Sequence, residues 1–343
     1  QSMHKFGIAD VPVVTPPATQ IGPPCQVPPL LVPGRPTPPC VSADLAPWRV
    51  DGENRVNSTY GPPMNLRQNL LLACALAIAL PAAAAPYRSA QQILDASPAT
   101  DWRTPAPENT LYMELDAGRV VIELAPGFAP QHVANIRTLA REGFWDGTSV
   151  YRVQDNFVAQ FGDAEADAPA KAKDPGSAKR KLPAEFEREA KGVAFDVLPD
   201  ADGWAPQTGF ADGFAAGRDM QAGKAWMAHC YGVVGAGRNL EADSSIGAEL
   251  YVVIGQSPRQ LDPNITQVGR VVQGIELLSA LPRGPEPMGF YADAAQRTPI
   301  RAVRLASAVP EAERTHLQLL RTDTQTFRDM VEARRNRRDD FYK

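Results

Sequence analysis

Alternating apolar and polar positions mark the middle of the chain as rich in β-strands. Residues 110–116 and 119–124 alternate as two strands joined by a short turn, which predicts a hairpin. Apolar residues within 131–141 recur at the spacing of one helical face, and Gly143 follows as the helix end. A second hairpin is predicted at residues 151–163, which close on a Gly-Asp turn. The pattern therefore predicts a mainly β domain that carries a helix.

Regular patterning returns in the second half of the chain. A strand pattern occupies residues 297–305, and residues 275–281 predict a short second helix. The end of the chain, residues 307–343, is charged, and its apolar residues have a loosely helical spacing. We expect a helical C-terminal extension there.

Residues 164–222 interrupt this patterning. The first part, residues 164–181, is rich in Ala, Asp, Pro and Lys and predicts an exposed loop. The later part, residues 187–222, combines glycines with four aromatic residues, which favours a loop anchored by its side chains over a free linker. We therefore expect a long loop insert at residues 164–222.

The start of the chain has a different composition. Residues 1–63 contain 14 of the 33 prolines and show neither a helical nor a strand period. We expect a disordered, polyproline-like tail. It could be a ligand for proline-binding modules, but the sequence that follows favours a tail that does not belong to the native protein.

Residues 64–85 have the three parts of a bacterial secretory signal peptide. A positive charge follows Met64, an apolar run occupies residues 70–80, and small residues end at Ala85. We expect translation to start at Met64 and cleavage near Ala85, which would make the mature protein periplasmic. The alternative is a lipoprotein, because the Leu-Leu-Ala-Cys stretch that ends at Cys74 resembles a lipid-attachment motif.

Composition excludes several classes of function. The 343 residues are 44% hydrophobic and 22% charged, as in ordinary soluble proteins, and the net charge of -4 argues against nucleic acid as a partner. No apolar run of about 18 residues follows residue 86, so we expect no stable membrane insertion after signal removal. Cys230 is the one cysteine beyond the signal, which predicts a buried thiol. We expect no metal, because His132 has no second ligand at a suitable spacing.

The hairpin at residues 151–163 carries the most informative chemistry. Arg152 points to one side of its strand and its two neighbours point to the other. Phe157 and Gln160 follow on the second strand, so a cation, an aromatic ring and a neutral amide can share one surface. Such a surface offers an apolar seat for a ring and a strong donor beside it, which suits a neutral amide substrate. The alternative is an ordinary sheet in which Arg152 pairs with a surface carboxylate.

The same stretch resembles the signature of the cyclophilin-type peptidyl-prolyl cis-trans isomerases. That signature has an aromatic residue or His, then Arg, a Phe five positions on, a Gln eight positions after the Arg, and a closing Gly-Asp pair. The matching residues are Arg152, Phe157, Gln160, Gly162 and Asp163. The resemblance implies a closed antiparallel β-barrel capped by two helices over residues 108–306, preceded by an N-terminal segment at 86–107. Residues 223–228 and 247–254 resemble two further strands of the family, so the resemblance also implies barrel strands there.

The resemblance also implies a role for each matched residue. Arg152 would donate to the prolyl nitrogen, and Gln160 would bind the substrate carbonyl and steady Arg152. A proline ring would lie on an apolar cup, and further contacts to the substrate would come from three residues beside it. The cup residues are Phe157, Val158, Tyr251, Leu261 and Ile265, and the further contacts are Ala228, His229 and Glu249. Neither a nucleophile, a metal nor a cofactor is implied.

Several positions depart from the family pattern, and they cluster in the wall of the cup. Glu249 replaces a Gln, Tyr251 a Phe, Gln260 a Trp and Ile265 a His. The Tyr251 hydroxyl enters an apolar wall, so we expect lower activity unless it finds a hydrogen-bond partner. A glycine cluster at residues 232–238 could suggest a nucleotide loop, but it lacks the strand–helix context of a dinucleotide site.

The resemblance implies a monomeric isomerase that rotates X–Pro bonds in exported proline-containing polypeptides without a cofactor. The alternative is a catalytically weak module that binds proline peptides, or a periplasmic holdase chaperone, in which the changed cup has lost turnover. The insert could cover part of the substrate groove, or it could pack beside the barrel without a role in binding.

Overall fold

The computed structural model describes residues 87–285, 288–338 and 341. The predicted tail at residues 1–63 and the predicted signal peptide at residues 64–85 lie outside the described residues.

Four α-helices and fifteen β-strands make up the regular structure of the described residues. The helices are α1 (Ala90–Asp95), α2 (Pro130–Arg141), α3 (Ile275–Ser279) and α4 (Gln325–Arg335). The first eight strands are β1 (Trp102–Arg103), β2 (Thr110–Leu115), β3 (Gly118–Leu124), β4 (Ser149–Val153), β5 (Val158–Gly162), β6 (Arg188–Glu189), β7 (Asp196–Val197) and β8 (Gln207–Ala211). The others are β9 (Phe214–Asp219), β10 (Lys224–Met227), β11 (Val233–Ala236), β12 (Leu250–Val253), β13 (Gln267–Gln273), β14 (Thr298–Leu305) and β15 (Leu319–Leu320).

Eight of the strands close into an antiparallel barrel. Their order around the barrel is β11, β12, β5, β4, β14, β2, β3 and β13, and the pairing of β13 with β11 closes the ring. Closure leaves no open sheet edge, which is how a small β domain satisfies the backbone of every strand. The predicted barrel is confirmed, and it includes the predicted hairpins β2–β3 and β4–β5.

The barrel core follows the two-residue period of the strands. On β2, Leu111 and Met113 are buried in the same apolar cluster as Ile122 of β3. Helix α2 begins with Pro130 in its first turn. Its apolar residues recur at helical spacing, and the face that they form is buried in this cluster. Helix α3 adds the buried Leu278. The two helices are the caps that the sequence predicts.

The insert differs from the predicted long loop. Its first part has no strand until β6, but its second part folds with β10 into a five-stranded sheet of order β6, β10, β9, β8, β7. The physical reason lies in the Asp212-Gly213 pair, whose φ angles of 52° and 88° form the tight turn between β8 and β9. An Asp-Gly pair between two short apolar runs is a strong hairpin signal. The other glycines nearby favoured a loop in the sequence pattern, so the hairpin was not predicted.

The barrel strand expected at residues 223–228 is also displaced. Residues 224–227 form β10 within the insert sheet, and β11 takes the barrel position between β12 and β13. Two successive apolar stretches that each begin with a glycine, residues 223–228 and 232–237, have the pattern of a strand at this barrel position. Gly235 of β11 lies opposite Tyr251 of β12, and a Cβ atom there would lie 2.2 Å from the tyrosine ring. The absence of a side chain at Gly235 therefore leaves room for that ring in the barrel.

The terminal segments pack beside the insert sheet. Helix α1 packs against α4, and β1 pairs with β15, so residues near both ends of the described chain meet. Phe327 of α4 lies edge-on to Phe210 of β8, with ring centroids 4.7 Å apart. The predicted C-terminal helix is present as α4 and occupies the last part of the extension. No helix among the described residues has the length and apolar character needed to cross a membrane.

Candidate active site

Arg152, Gln160 and Phe157 lie together at the β4–β5 hairpin. A register shift after Val150 places Arg152 directly opposite Gln160. Arg152 Nη1 donates to Gln160 Oε1 at 3.0 Å, and its guanidinium carbon lies 5.9 Å from the centre of the Phe157 ring. The structure therefore brings the cation, the amide and the aromatic ring onto one surface.

The guanidinium of Arg152 is enclosed by neutral groups. Its Nε donates to the Met288 carbonyl at 2.7 Å, Nη2 donates to Gln154 Oε1, and the Phe290 ring centre lies 5.0 Å from the guanidinium carbon. Arg152 is only 1% exposed. These acceptors differ from the surface carboxylate of the alternative interpretation. A charge buried among neutral acceptors carries a desolvation cost, which makes it a candidate functional group.

Burial also acts on the protonation of this side chain. Loss of hydration lowers the pKa of Arg152 to about 10, and the nearby Tyr151 and Tyr251 act in the opposite direction. The guanidinium therefore remains a cation at neutral pH and can donate a charge-assisted hydrogen bond.

The predicted cup residues share one apolar cluster. Val158, Tyr251 and Ile265 are buried in it, and Phe157 and Leu261 are half-buried. The same cluster includes residues of the insert sheet, among them Phe214 of β9 and Met227 of β10. The insert sheet therefore packs against the cup. Whether it covers part of the groove stays a prediction.

The Tyr251 hydroxyl has a partner that the sequence did not reveal. It lies 2.9 Å from His229 Nε2, and His229 Nδ1 lies 3.1 Å from Asp262 Oδ1. Burial lowers the pKa of His229, so the ring is neutral and Nε2 can accept from the hydroxyl when Nδ1–H faces Asp262. Arg259 binds Asp262 and extends this network to Asp202 of the insert.

Ala228 and His229 do not line an open groove. The His229 N–H donates to Asp262 Oδ1 at 2.8 Å, and the Ala228 N–H donates to the carbonyl of Ala215. Both residues are buried, and both N–H groups are already hydrogen-bonded within the protein. The placement of β10 in the insert sheet therefore offers no support for the expected substrate contact at these residues, which stays a prediction.

Gly237, the residue after β11, lies at the end of a barrel strand, whereas Ala228 and His229 follow a strand of the insert sheet. A Cβ atom at this glycine would lie 3.6 Å from Gln160 Nε2, which places its backbone beside the Arg152 surface. The sequence analysis did not predict Gly237 at this position, because it considered the glycine cluster at residues 232–238 only as a possible nucleotide loop.

Glu249 lies on the other side of Gln160 from the cup. Its carboxylate accepts from the Tyr151 hydroxyl at 2.7 Å and from the Asp163 N–H at 2.8 Å. Burial raises the pKa of Glu249 to about 8. Glu249 and Arg238 border a cavity of about 220 Å³.

Comparison with known proteins places this geometry in context. A family model described as "Cyclophilin type peptidyl-prolyl cis-trans isomerase/CLD" matches residues 110–308. A probable peptidyl-prolyl cis-trans isomerase of Brucella suis biovar 1 (strain 1330) is 29% identical over 186 residues, which cover 52% of this chain and 74% of that protein. Human peptidyl-prolyl cis-trans isomerase-like 1 is 35% identical over 68 residues, 20% of this chain and 39% of that protein. The crystal structure of cyclophilin AquaCyp293 from Hirschia baltica aligns with a TM-score of 0.55 and 27% identity, covering 71% of this chain and 90% of that one.

The hydrogen bond between Tyr251 and His229 leads to a stability prediction. Tyr251→Phe removes the donor to a buried acceptor, which costs about 1–3 kcal/mol. We expect the free energy of unfolding in urea to fall by that amount. Tyr231→Phe, at an exposed position, should change it by less than about 0.5 kcal/mol. If the Tyr251→Phe protein were as stable as the wild type, the hydrogen bond of the Tyr251 hydroxyl would contribute nothing to the free energy of unfolding.

Proposed function

This chain belongs to the cyclophilin-type peptidyl-prolyl cis-trans isomerases, and we propose that Arg152 is the group with which it rotates the X–Pro bonds of exported polypeptides. The observation that carries the proposal is the buried guanidinium, held 3.0 Å from Gln160 and beside the Phe157 ring. The substrates of the reaction are polypeptides that contain proline.

The chemistry of the reaction needs a donor at one place. Resonance holds the X–Pro bond planar with a barrier of about 18–20 kcal/mol. As the bond twists, the prolyl nitrogen regains its lone pair and becomes a hydrogen-bond acceptor. A donation from Arg152 to this nitrogen exists mainly in the transition state, so it lowers the barrier without tightening ground-state binding. A rate gain of about 10⁵ corresponds to roughly 7 kcal/mol of such stabilisation.

The surroundings of Arg152 suit this role. Each terminal nitrogen of a guanidinium carries two hydrogens. Gln160 and Gln154 each accept one hydrogen from a different terminal nitrogen, which fixes the plane of the group and leaves a second hydrogen on each for a substrate. Gln160 thus steadies Arg152, and the ring of Phe157 provides the floor on which the proline would lie.

Access to the guanidinium requires movement. Phe290 and the Met288 carbonyl cover Arg152 on the side away from β5, and the insert sheet packs against the cup. A proline peptide would reach Arg152 only after part of this cover moves. A peptide that contacted the cup while Phe290 still covered Arg152 would bind without turnover, and this is the second candidate function.

Substitution of Arg152 distinguishes the two functions. In a protease-coupled assay with a proline peptide, we expect Arg152→Ala to lower kcat/KM by about 10²-fold or more, as for other lost transition-state donors. Arg152→Lys keeps the charge but not the planar fork and should be intermediate. Arg301→Ala, at an exposed ion pair, serves as the control and should retain full activity.

The outcomes of this assay separate the interpretations. Circular dichroism of each variant checks that the barrel remains folded. Peptide binding by the wild type without turnover would support the binding module. Full turnover by a folded Arg152→Ala protein would contradict the catalytic role of Arg152.

We also propose that the protein is exported and that its signal peptide is cleaved near Ala85. The support is the signal-peptide pattern of residues 64–85. Exported polypeptides that contain proline would be the substrates in the periplasm. Expressed from Met64 in a Gram-negative host, the protein should appear in the periplasmic fraction with an N-terminus near Pro86. Ala85→Arg should block cleavage and serves as the matched control. An unprocessed N-terminus or a lipid on Cys74 would contradict this proposal.

A further inference from the structure

A chain of hydrogen bonds joins Arg152 to Glu249. Arg152 Nη1 donates to Gln160 Oε1 at 3.0 Å, and Gln160 Nε2 donates to the Tyr151 hydroxyl at 2.6 Å. The Tyr151 hydroxyl donates to Glu249 Oε2 at 2.7 Å. Every donor faces the same way, from the cation toward the carboxylate. Such an aligned chain polarises each of its members.

We propose that Glu249 is a positioning residue for Arg152, acting through Tyr151 and Gln160, and that its ionisation raises isomerase activity. This inference rests on the proposed function of Arg152. It differs from a substrate contact because Glu249 reaches the guanidinium only through two other side chains.

The carboxylate occupies a site shaped to receive it. Its second oxygen, Oε1, accepts the Asp163 N–H at 2.8 Å. Gly162, at φ 150°, lies directly beneath it, and a Cβ atom there would lie 2.1 Å from Oε2. Any larger residue at position 162 would displace the carboxylate. Gly162, the last residue of β5, thus leaves the space that the Glu249 carboxylate occupies.

Charged groups on each neighbouring element act on Glu249. Burial is the main cause that raises its pKa to about 8, and the carboxylates of Asp163 and Asp167 act in the same direction. The hydrogen bonds from Tyr151 and the Asp163 N–H lower it. Lys173 and Arg238 line the cavity beside it. In the folded protein the carboxyl is therefore mostly protonated below about pH 8 and ionised above it.

The two protonation states place different demands on the chain. An ionised Glu249 can only accept, so Tyr151 must donate to it and Gln160 must turn its oxygen to Arg152. A protonated Glu249 carries its own O–H, so Tyr151 is released to donate toward Gln160. The amide can then turn, and Arg152 faces an NH₂ group instead of an acceptor. Arg152 is better held when Glu249 is ionised.

Activity as a function of pH tests the first consequence. NMR exchange spectroscopy on a proline peptide measures isomerisation without a coupled protease. From pH 6 to pH 9, where Arg152 with its pKa of about 10 is still mostly a cation, we expect kcat/KM to rise roughly 2- to 10-fold, the range that one net hydrogen bond supplies. The midpoint should lie near 8. The rise should vanish in Glu249→Gln, which cannot ionise, and in Tyr151→Phe, which cuts the relay. Glu276→Gln, at an exposed position on α3, should keep the rise.

A second readout does not depend on turnover. The ¹⁵N–¹H signal of Arg152 Nε should shift with pH in the wild type, with a midpoint near 8. It should lose this shift in Glu249→Gln and in Tyr151→Phe, whose folding the amide spectrum checks. A wild-type signal that does not titrate, or one that titrates equally in both variants, would overturn the relay. A titrating signal in a protein without turnover would support the relay and count against the proposed function.

Discussion

The buried guanidinium of Arg152 is the constraint on which the rest of the site depends. A cation with 1% exposure is stable only where hydrogen-bond acceptors replace water. Gln160 and Gln154 supply two of these acceptors and the Met288 carbonyl supplies the third. Because all three are neutral, the charge is not cancelled by a partner and remains available to an incoming acceptor. Catalysis of amide rotation needs such a preorganised, dry donor.

The fold places this group by combining two sheets. The barrel fixes Arg152 and Gln160 in register on β4 and β5, while the insert sheet packs against the apolar cup beside them. The network from Tyr251 through His229 and Asp262 to Arg259 joins the cup to the insert. A movement of the insert sheet would therefore displace residues of the cup through this network. The insert sheet can in this way influence substrate access.

The hairpin surface could be predicted because its signals are local, whereas the closed barrel was expected only from the resemblance to a known family. Register within a hairpin determines that Arg152 faces Gln160, and no distant residue is needed to infer it. The placement of β10 and β11 could not be predicted in this way, since two neighbouring stretches suit the same strand. A tertiary contact, the close approach of the Tyr251 ring to Gly235, distinguishes the stretch that lies in the barrel. The His229–Tyr251 hydrogen bond was likewise hidden, because it depends on that placement.

The most direct measurement is a structure of the protein bound to a short proline-containing peptide. We predict the prolyl ring on Phe157, with an Arg152 N–H within about 3.5 Å of the prolyl nitrogen or its preceding carbonyl, and with Phe290 displaced. A peptide bound elsewhere, with Arg152 still enclosed by Met288 and Phe290, would contradict the account.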